Sequence, residues 1–363
     1  MNKFSDYFEA QKKSKIKAGD GLVFGKYKFF NSSNMQTKFY NQALYHSEAL
    51  IFGTGGNASI HYCNEPFSTS TDCIVFFAKR NDFSVKLVYQ YLSGNIHILQ
   101  NGFKGAGIKH ISKGYIEEIE LNLPILEQQH QIASIFDKVT CTIELCNQII
   151  EKLDLLVKAK FVEMFGDAIN NSMKWHTVCI TDVCKAIYGG GTPSKSHPEY
   201  FTGDIVWISP KDMKSEIISD SIDHITYEAV ENSSVKFIPS ESVLMVIRSG
   251  ILKHTLPIAI NSVPVTINQD MKAFVPNDKI IVKFMLHYFK SIESDILQRV
   301  RAVTADNIDF KDFQKRKIIL PPLELQQKFA DFAEQTEKSK SAVKRVLEKA
   351  ETLKKALMQK YFG

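Results

Sequence analysis

The chain has 363 residues, 44% of them hydrophobic and 23% charged, with a net charge of +5, which is enough apolar material for two or three domains rather than one. The apolar runs at 242–247 and 280–286 are far too short to span a membrane, and residues 1–20 lack the apolar core of a signal peptide, so a soluble cytoplasmic protein is expected, with no membrane partner. The six cysteines (Cys63, Cys73, Cys141, Cys146, Cys179 and Cys184) form no CxxC pair and have no histidine at zinc spacing; neither a disulfide framework nor a bound metal is expected, and the mild basicity admits a nucleic-acid partner without requiring one.

Residues 1–122 form a mixed segment. The short apolar run at 73–78 predicts a strand and 83–92 a helix. Polar and basic side chains lie in or beside its predicted loops: Lys12, Lys13, Lys15, Thr54, Asn57, His61, Lys104, Lys109 and His110. Residues 123–167 follow. A proline just before the start and a glycine at the end bracket one long helix over about 127–164, a rod of roughly 57 Å at 1.5 Å per residue. Ile132, Ile135, Val139, Thr142, Cys146, Ile149, Leu153 and Leu156 recur at alternating steps of three and four, a narrow seam suited to a partner helix.

The segment 168–319 is again mixed, about thirty residues longer than the first, with strands predicted at 205–208, 242–247 and 258–260 and a helix at 280–292. Thr192, Ser194, Lys195, Lys211, Arg248, Ser249, Lys253, His254, Gln269, Arg299 and Arg301 lie in or beside its loops. Arg248 stands out: it follows an apolar strand and precedes Ser249-Gly250, so its guanidinium can leave a rigid strand end and fork onto a guanine or a phosphate. Residues 320–363 form a second long helix with its seam at Phe329, Phe332, Thr336, Ser339, Val343, Val346, Ala350, Leu353 and Leu357.

The two helices are copies. Residues 123–166 align without a gap to 320–363 at an offset of 197, Leu-Pro-Ile-Leu-Glu meeting Leu-Pro-Pro-Leu-Glu and Phe165-Gly166 meeting Phe362-Gly363. Repetition of this kind decides an architecture: domain, helix, domain, helix. The two mixed segments echo each other only faintly. Phe4-Ser5-Asp6-Tyr7 answers Ile180-Thr181-Asp182-Val183, Thr71-Asp72 followed by Phe76 answers Gln269-Asp270 followed by Phe274, and His110-Ile111 falls opposite Asn307-Ile308. The expected fold is α+β: two α+β domains, each followed by a long helix, the helices pairing as an antiparallel coiled coil. Helices that merely finish their own domains, or a homodimer seam, would also fit the spacing.

Leu-Pro-x-Leu-Glu-x-Gln entering a long helix twice, after two unlike domains, resembles the specificity subunits of type I restriction-modification systems. Gly189-Gly190-Gly191-Thr192-Pro193-Ser194-Lys195 followed by Trp207-Ile208-Ser209 and Asp212 resembles the opening of that family's target-recognition domains, as does the stretch 25–33 in the first segment. The first segment departs from the pattern in offering Lys12-Lys13-Ser14-Lys15 in place of the glycine run. The resemblance implies a non-catalytic reader of bipartite double-stranded DNA. It further implies two modification (methyltransferase) subunits, using S-adenosylmethionine to methylate adenine at N6, and restriction (ATP-dependent translocase and nuclease) subunits. Neither S-adenosylmethionine nor ATP is expected on this chain; both belong to the partners. Those partners would dock on polar outer helix faces at Glu127, Gln128, Gln129, Glu324 and Gln326.

Direct reading of DNA needs donors and acceptors at base edges, while Lys and Arg neutralise phosphates. Taken singly, an exposed lysine reads first as a solvated charge, and the glycine run as a turn. The enzyme readings fail on spacing. Gly53-Thr54-Gly55-Gly56 is not GxGxxG, 189–191 is not GxxxxGK[ST], and no Asn-Pro-Pro-Tyr, H-E-x-x-H or G-x-S-x-G occurs. Two alternatives from other classes stay open: a coiled-coil scaffold without a DNA role, and an enzyme with an unfamiliar site.

Overall fold

The computed structural model describes all residues except Met1, Ala106, Ile108, 302–306 and Gly363, and the side chains of Arg301 and Phe362. The chain forms two compact units, Met1–Asn147 with Lys344–Gly363, and Gln148–Val343.

In the first unit a four-stranded antiparallel sheet has the order Phe8–Ala10, Cys73–Ala78, Ala49–Gly53, Ser59–Cys63. The central strand is buried on both faces, and the period of two divides it. Leu50 and Phe52 enter a core with Phe4, Phe8, Phe76 and Val88, while Ala49 and Ile51 enter another with Phe30, Tyr45 and Phe67. A smaller sheet sets Tyr27–Phe30 between antiparallel Lys38–Tyr40 and parallel Phe67–Thr69. The second unit repeats this order as Cys184–Gly189, Met271–Pro276, Ser242–Val246, Ile258–Asn261, with parallel Ile217–Ile218 added at the edge. Its small sheet again has a middle strand, Ile205–Ile208, between antiparallel His224–Ile225 and parallel Thr266–Ile267. The two segments are therefore one α+β fold built twice. The entry turns match as well: Asp6 accepts from the Lys3 amide at 2.7 Å, and Asp182 accepts from the Cys179 amide at 3.0 Å.

The long helices run over Leu126–Phe165 and Leu323–Phe362, 40 residues each. They pair antiparallel within each unit. In the first, Ile132, Ala133 and Phe136 pack with Leu87, Leu357, Met358 and Tyr361. In the second, the Phe161 and Phe329 rings lie edge to face at 5.3 Å, and Lys340 Nζ reaches Asp154 Oδ1 at 2.5 Å.

The seam corrects the expected one by a single position. Ile132, Val139, Cys146 and Leu153 turn inward, but Ile135, Thr142, Ile149 and Leu156 are exposed, and Phe136, Ile143, Ile150 and Val157 take their place. The second helix shifts likewise at three positions, Lys340, Leu347 and Lys354 replacing Ser339, Val346 and Leu353, while Ala333 is buried beside a Phe332 that stays half-buried against the core. Both choices satisfy a three-and-four alternation, so spacing alone could not separate them. Packing decides: Phe136 packs with Leu87 of the short helix Val85–Gly94, and its repeat equivalent Ala333 lies in the same core as Phe284 and Met285 of the short helix Val282–Ser291.

Candidate nucleic-acid interface

One backbone crossing supports the candidate residues in each unit. In the second, the strand Ser242–Val246 runs out at Ile247 and Arg248, whose amides donate to the Asp270 carbonyl at 2.8 and 3.2 Å. The Ile247 carbonyl accepts from the Ile308 amide at 2.8 Å, and Arg248 faces Asn307 across an isolated bridge. In the first, Ala49–Gly53 runs out at Thr54, whose amide donates to the Asp72 carbonyl at 2.8 Å and whose carbonyl accepts from the Ile111 amide at 3.1 Å. There Gly55 faces His110. The faint sequence echoes at 71–72 and 269–270, and at 110–111 and 307–308, are the trace of this crossing.

What stands on it differs. In the second unit the Arg248 side chain is 57% exposed, and its Nε donates to Asp270 Oδ1 at 2.6 Å. Asp270 Oδ2 accepts from Asn268 Nδ2 at 3.2 Å, and Gln269 is exposed between them in sequence. Ser249 accepts from the Ile251 amide and so caps the turn Gly250–Lys253; Lys253 and His254 are exposed on it. In the first unit Gly55 leaves room for the His110 ring, which a Cβ would approach to 3.2 Å. His110 Nδ1 lies 3.1 Å from the Thr54 carbonyl; a carbonyl can only accept, so Nδ1 donates to it. Lys104 pairs with His110 across a two-residue ladder, Asn57 is exposed on the adjoining turn and Lys109 is exposed beside the ladder. Lys13, Thr54, His110 and Lys113 line a cleft of about 420 Å³. Burial pushes the Cys73 thiol in that cleft up to about 12, so it stays protonated and unreactive.

The remaining candidates separate. Lys12 and Lys15 are exposed beside Lys13, the Lys12 carbonyl accepting from the Tyr45 hydroxyl at 2.8 Å. His61 turns inward instead of lining a loop: it is buried, packs on Phe30 at 5.1 Å, and its Nε2 meets the Ser33 carbonyl at 2.7 Å. Burial lowers its pKa, keeping the ring neutral. Lys211 forms an ion pair with Asp223 at 2.5 Å, and that hydrogen bond holds its pKa above the usual value. Arg299 reaches Asp295 at 3.5 Å and Asp312 at 3.9 Å; the side chain of Arg301 lies outside the described residues.

The glycine run is a close-approach device. A Cβ on Gly190 would lie 1.8 Å from the Asn268 carbonyl oxygen, and the Gly191 amide donates to the Ile267 carbonyl at 3.0 Å, so the loop is pinned against residues 267–268. Beyond it Lys195 is exposed, the Ser194 and Ser196 hydroxyls share a 2.6 Å hydrogen bond, and Thr192 Oγ1 is buried without a partner among the described residues.

Two of the expected partner-docking residues are not on an outer face. Gln129 is buried, its Oε1 accepting from the Ser84 amide at 2.8 Å and its Nε2 donating to the Pro124 carbonyl at 2.7 Å. Gln326, its repeat equivalent, accepts from the Ile281 amide at 2.9 Å and donates to the carbonyls of Pro321 and Lys279 at 2.8 and 3.3 Å. Each glutamine thus satisfies an amide at the start of the short helix beside it, Val85–Gly94 or Val282–Ser291, a group that a helix N-terminus leaves unpaired. Glu127, Gln128 and Glu324 are exposed, Glu324 pairing with Lys328 at 2.7 Å.

Among the described residues no helix is long and apolar enough to cross a membrane, and no group of three or more metal-capable side chains forms. Comparison with known proteins gives a consistent result. A stretch of 211 residues is 38% identical to the specificity subunit of the type I restriction enzyme EcoR124I/EcoR124II of Escherichia coli, covering 56% of this chain and 50% of that protein. A stretch of 120 residues is 32% identical to the specificity subunit of the MjaIX enzyme of Methanocaldococcus jannaschii, covering 32% and 27%. The matches thus span about half of the first relative's length and about a quarter of the second's. Among solved structures, the S subunit of a type I restriction-modification system from M. genitalium matches 100% of this chain and 95% of its own at a TM-score of 0.70 and 15% identity. A chain from a study of complex assembly in the type I system matches 99% and 96% at 0.55 and 16%; these two likenesses establish the fold. The family described as type I restriction modification DNA specificity domain matches residues 1–155 and 173–352, and the chain belongs to it.

Proposed function

We propose that the chain is the DNA-reading subunit of a type I restriction-modification system. Residues 1–122 and 168–319 each read one half of a bipartite duplex target, and the helices of 123–167 and 320–363 set the unread spacer. The observation that carries this reading is the backbone crossing built twice and decorated differently, Arg248, Gln269 and Asn307 in one unit against Gly55, Thr71 and His110 in the other. A constant scaffold with changed polar side chains suits two readers of different sequence. The chain directs chemistry and performs none. Two modification subunits carry S-adenosylmethionine and methylate adenine at N6, restriction subunits carry ATP, and the assembly works in the cytoplasm. Exposed apolar side chains on the first long helix, Ile135 and Leu145 in the first unit and Leu155, Leu156 and Val162 in the second, favour docking of partners there, with Glu127, Gln128 and Glu324 at the rim.

The test is to assemble the chain with its co-encoded modification subunits and measure binding to duplex DNA and adenine methylation. A bipartite preference is expected, with affinity falling steeply as salt rises because bound phosphates release counterions. Binding indifferent to sequence and salt, or methyl transfer by the chain alone, contradicts the proposal. A four-residue insertion near Asn147 lengthens its helix by roughly 6 Å. The spacer should then grow by one or two base pairs, at about 3.4 Å each, with both half-sites kept; altered half-sites with an unchanged spacer would remove the helices as the ruler.

A further inference from the structure

We propose that Asp270 is a positioning residue that aims Arg248 end-on at a guanine in the half-site read by the second unit; this rests on the reading of the chain as a DNA reader. A guanidinium offers two planar forks of N–H donors, a side-on pair that includes Nε and an end-on pair made of Nη1 and Nη2. Asp270 Oδ1 takes Nε at 2.6 Å, which spends the side-on fork. Nη1 and Nη2 have no partner among the described residues. The pair is fixed at both ends. The Arg248 amide donates to the Asp270 carbonyl at 3.2 Å, the strand before it is fully buried, and Asn268 Nδ2 holds the second carboxylate oxygen at 3.2 Å. A charge-assisted bond of this kind removes rotamer freedom before binding, so less is lost on contact.

Guanine presents O6 and N7 in the major groove as two adjacent acceptors that match the end-on fork. A phosphate could accept the same fork, but it would bring a negative charge beside the Asp270 carboxylate, whereas a base edge is neutral. Gln269, exposed next in sequence to Asp270, brings an amide to the same place, the type of group that reads a neighbouring adenine. The first unit has no counterpart, because Gly55 stands where Arg248 stands.

The experiment uses the chain assembled with its modification subunits and scores methylation or binding over a library carrying every single substitution in the target. Arg248→Ala should lose preference at one G·C pair by roughly tenfold to a hundredfold. Asp270→Ala should lose preference at that same pair by a smaller factor. Asp270→Asn, whose amide oxygen still accepts from Nε, should recover part of it, and Arg248→Ala with Asp270→Ala together should be no worse there than Arg248→Ala alone. Thermal midpoints equal to the wild type's show that the variants fold, as a surface pair allows. The proposal is overturned if Arg248→Ala weakens all sequences alike, or if Asp270→Ala leaves the preference at the Arg248 position intact. A wild-type assembly with no bipartite preference at all would instead sink the reading of the chain as a DNA reader.

Discussion

The two units join their short helix to a long helix by the same hydrogen bond but by different packing. In the first, Ile132 and Phe136 of the long helix meet Leu87, with Leu357, Met358 and Tyr361 of the other long helix. In the second, four phenylalanines meet: the Phe161 and Phe165 rings lie 4.9 to 5.7 Å, centroid to centroid, from each other and from Phe284 and Phe329. The joint has exchanged a mixed aliphatic and aromatic filling for a cluster of phenylalanines while Gln129 and Gln326 kept their roles. Apolar volume can be redistributed among neighbours, but a buried helix-start amide left without an acceptor has no such remedy.

The largest expected effect tests the aromatic filling. Phe161→Ala should destabilise the second unit by about 3–5 kcal/mol, read as a lower urea midpoint for that unit with the first unit's transition unmoved. Coincident losses in both would show that the joints are not separate. Next is the shared hydrogen bond: Gln326→Ala strands the Ile281 amide and should cost about 2–3 kcal/mol, Gln129→Ala a similar or smaller amount. Gln128→Ala, on an exposed position, should stay within about 0.5 kcal/mol. Equal effects at 128 and 129 would mean that the glutamine latch carries nothing.

The remaining contrast lies on the crossings. His110→Ala removes a polar ring from the crossing and should cost about 1 kcal/mol of preference at one base pair in the half-site opposite to that of Arg248, checked by the same methylation library. Smallest are the phosphate contacts: Lys104→Ala and Lys109→Ala should weaken all sequences nearly alike and each reduce the salt slope by about one. A change in base preference at either lysine would move it from positioning to reading.

The sequence shows the helices far better than it shows the domains. An ungapped match at one offset carried both long helices and their pairing, and the strands at 205–208 and 73–78 lie where short apolar runs put them. The seam came out one residue off because Ile135, Ile149 and Leu156 are as apolar as the residues that displace them, and only the domain packed against Phe136 chooses. Gln129 and Gln326 looked like surface because polarity was read without their partners, Ser84 and Ile281, 45 residues away in each copy. The common fold of the two domains was nearly invisible for a different reason. It is held by backbone hydrogen bonds, which nearly any residue can make whatever its side chain, so only scattered correspondences such as Asp6/Asp182, Asp72/Asp270 and Ile111/Ile308 survived as a trace. Arg248 was legible as a strand-end donor; Asp270 as its anchor was not, since 22 residues separate them.

The central claim is that each unit reads its own half of the target. The most direct test compares full methylation-preference maps of two assemblies, one carrying Arg248→Ala and the other His110→Ala, against the wild type. The account predicts that Arg248→Ala alters preference only within one half-site and His110→Ala only within the other, with the spacer unchanged in both. Changes from the two substitutions falling in the same half-site, or spread over both, would contradict it.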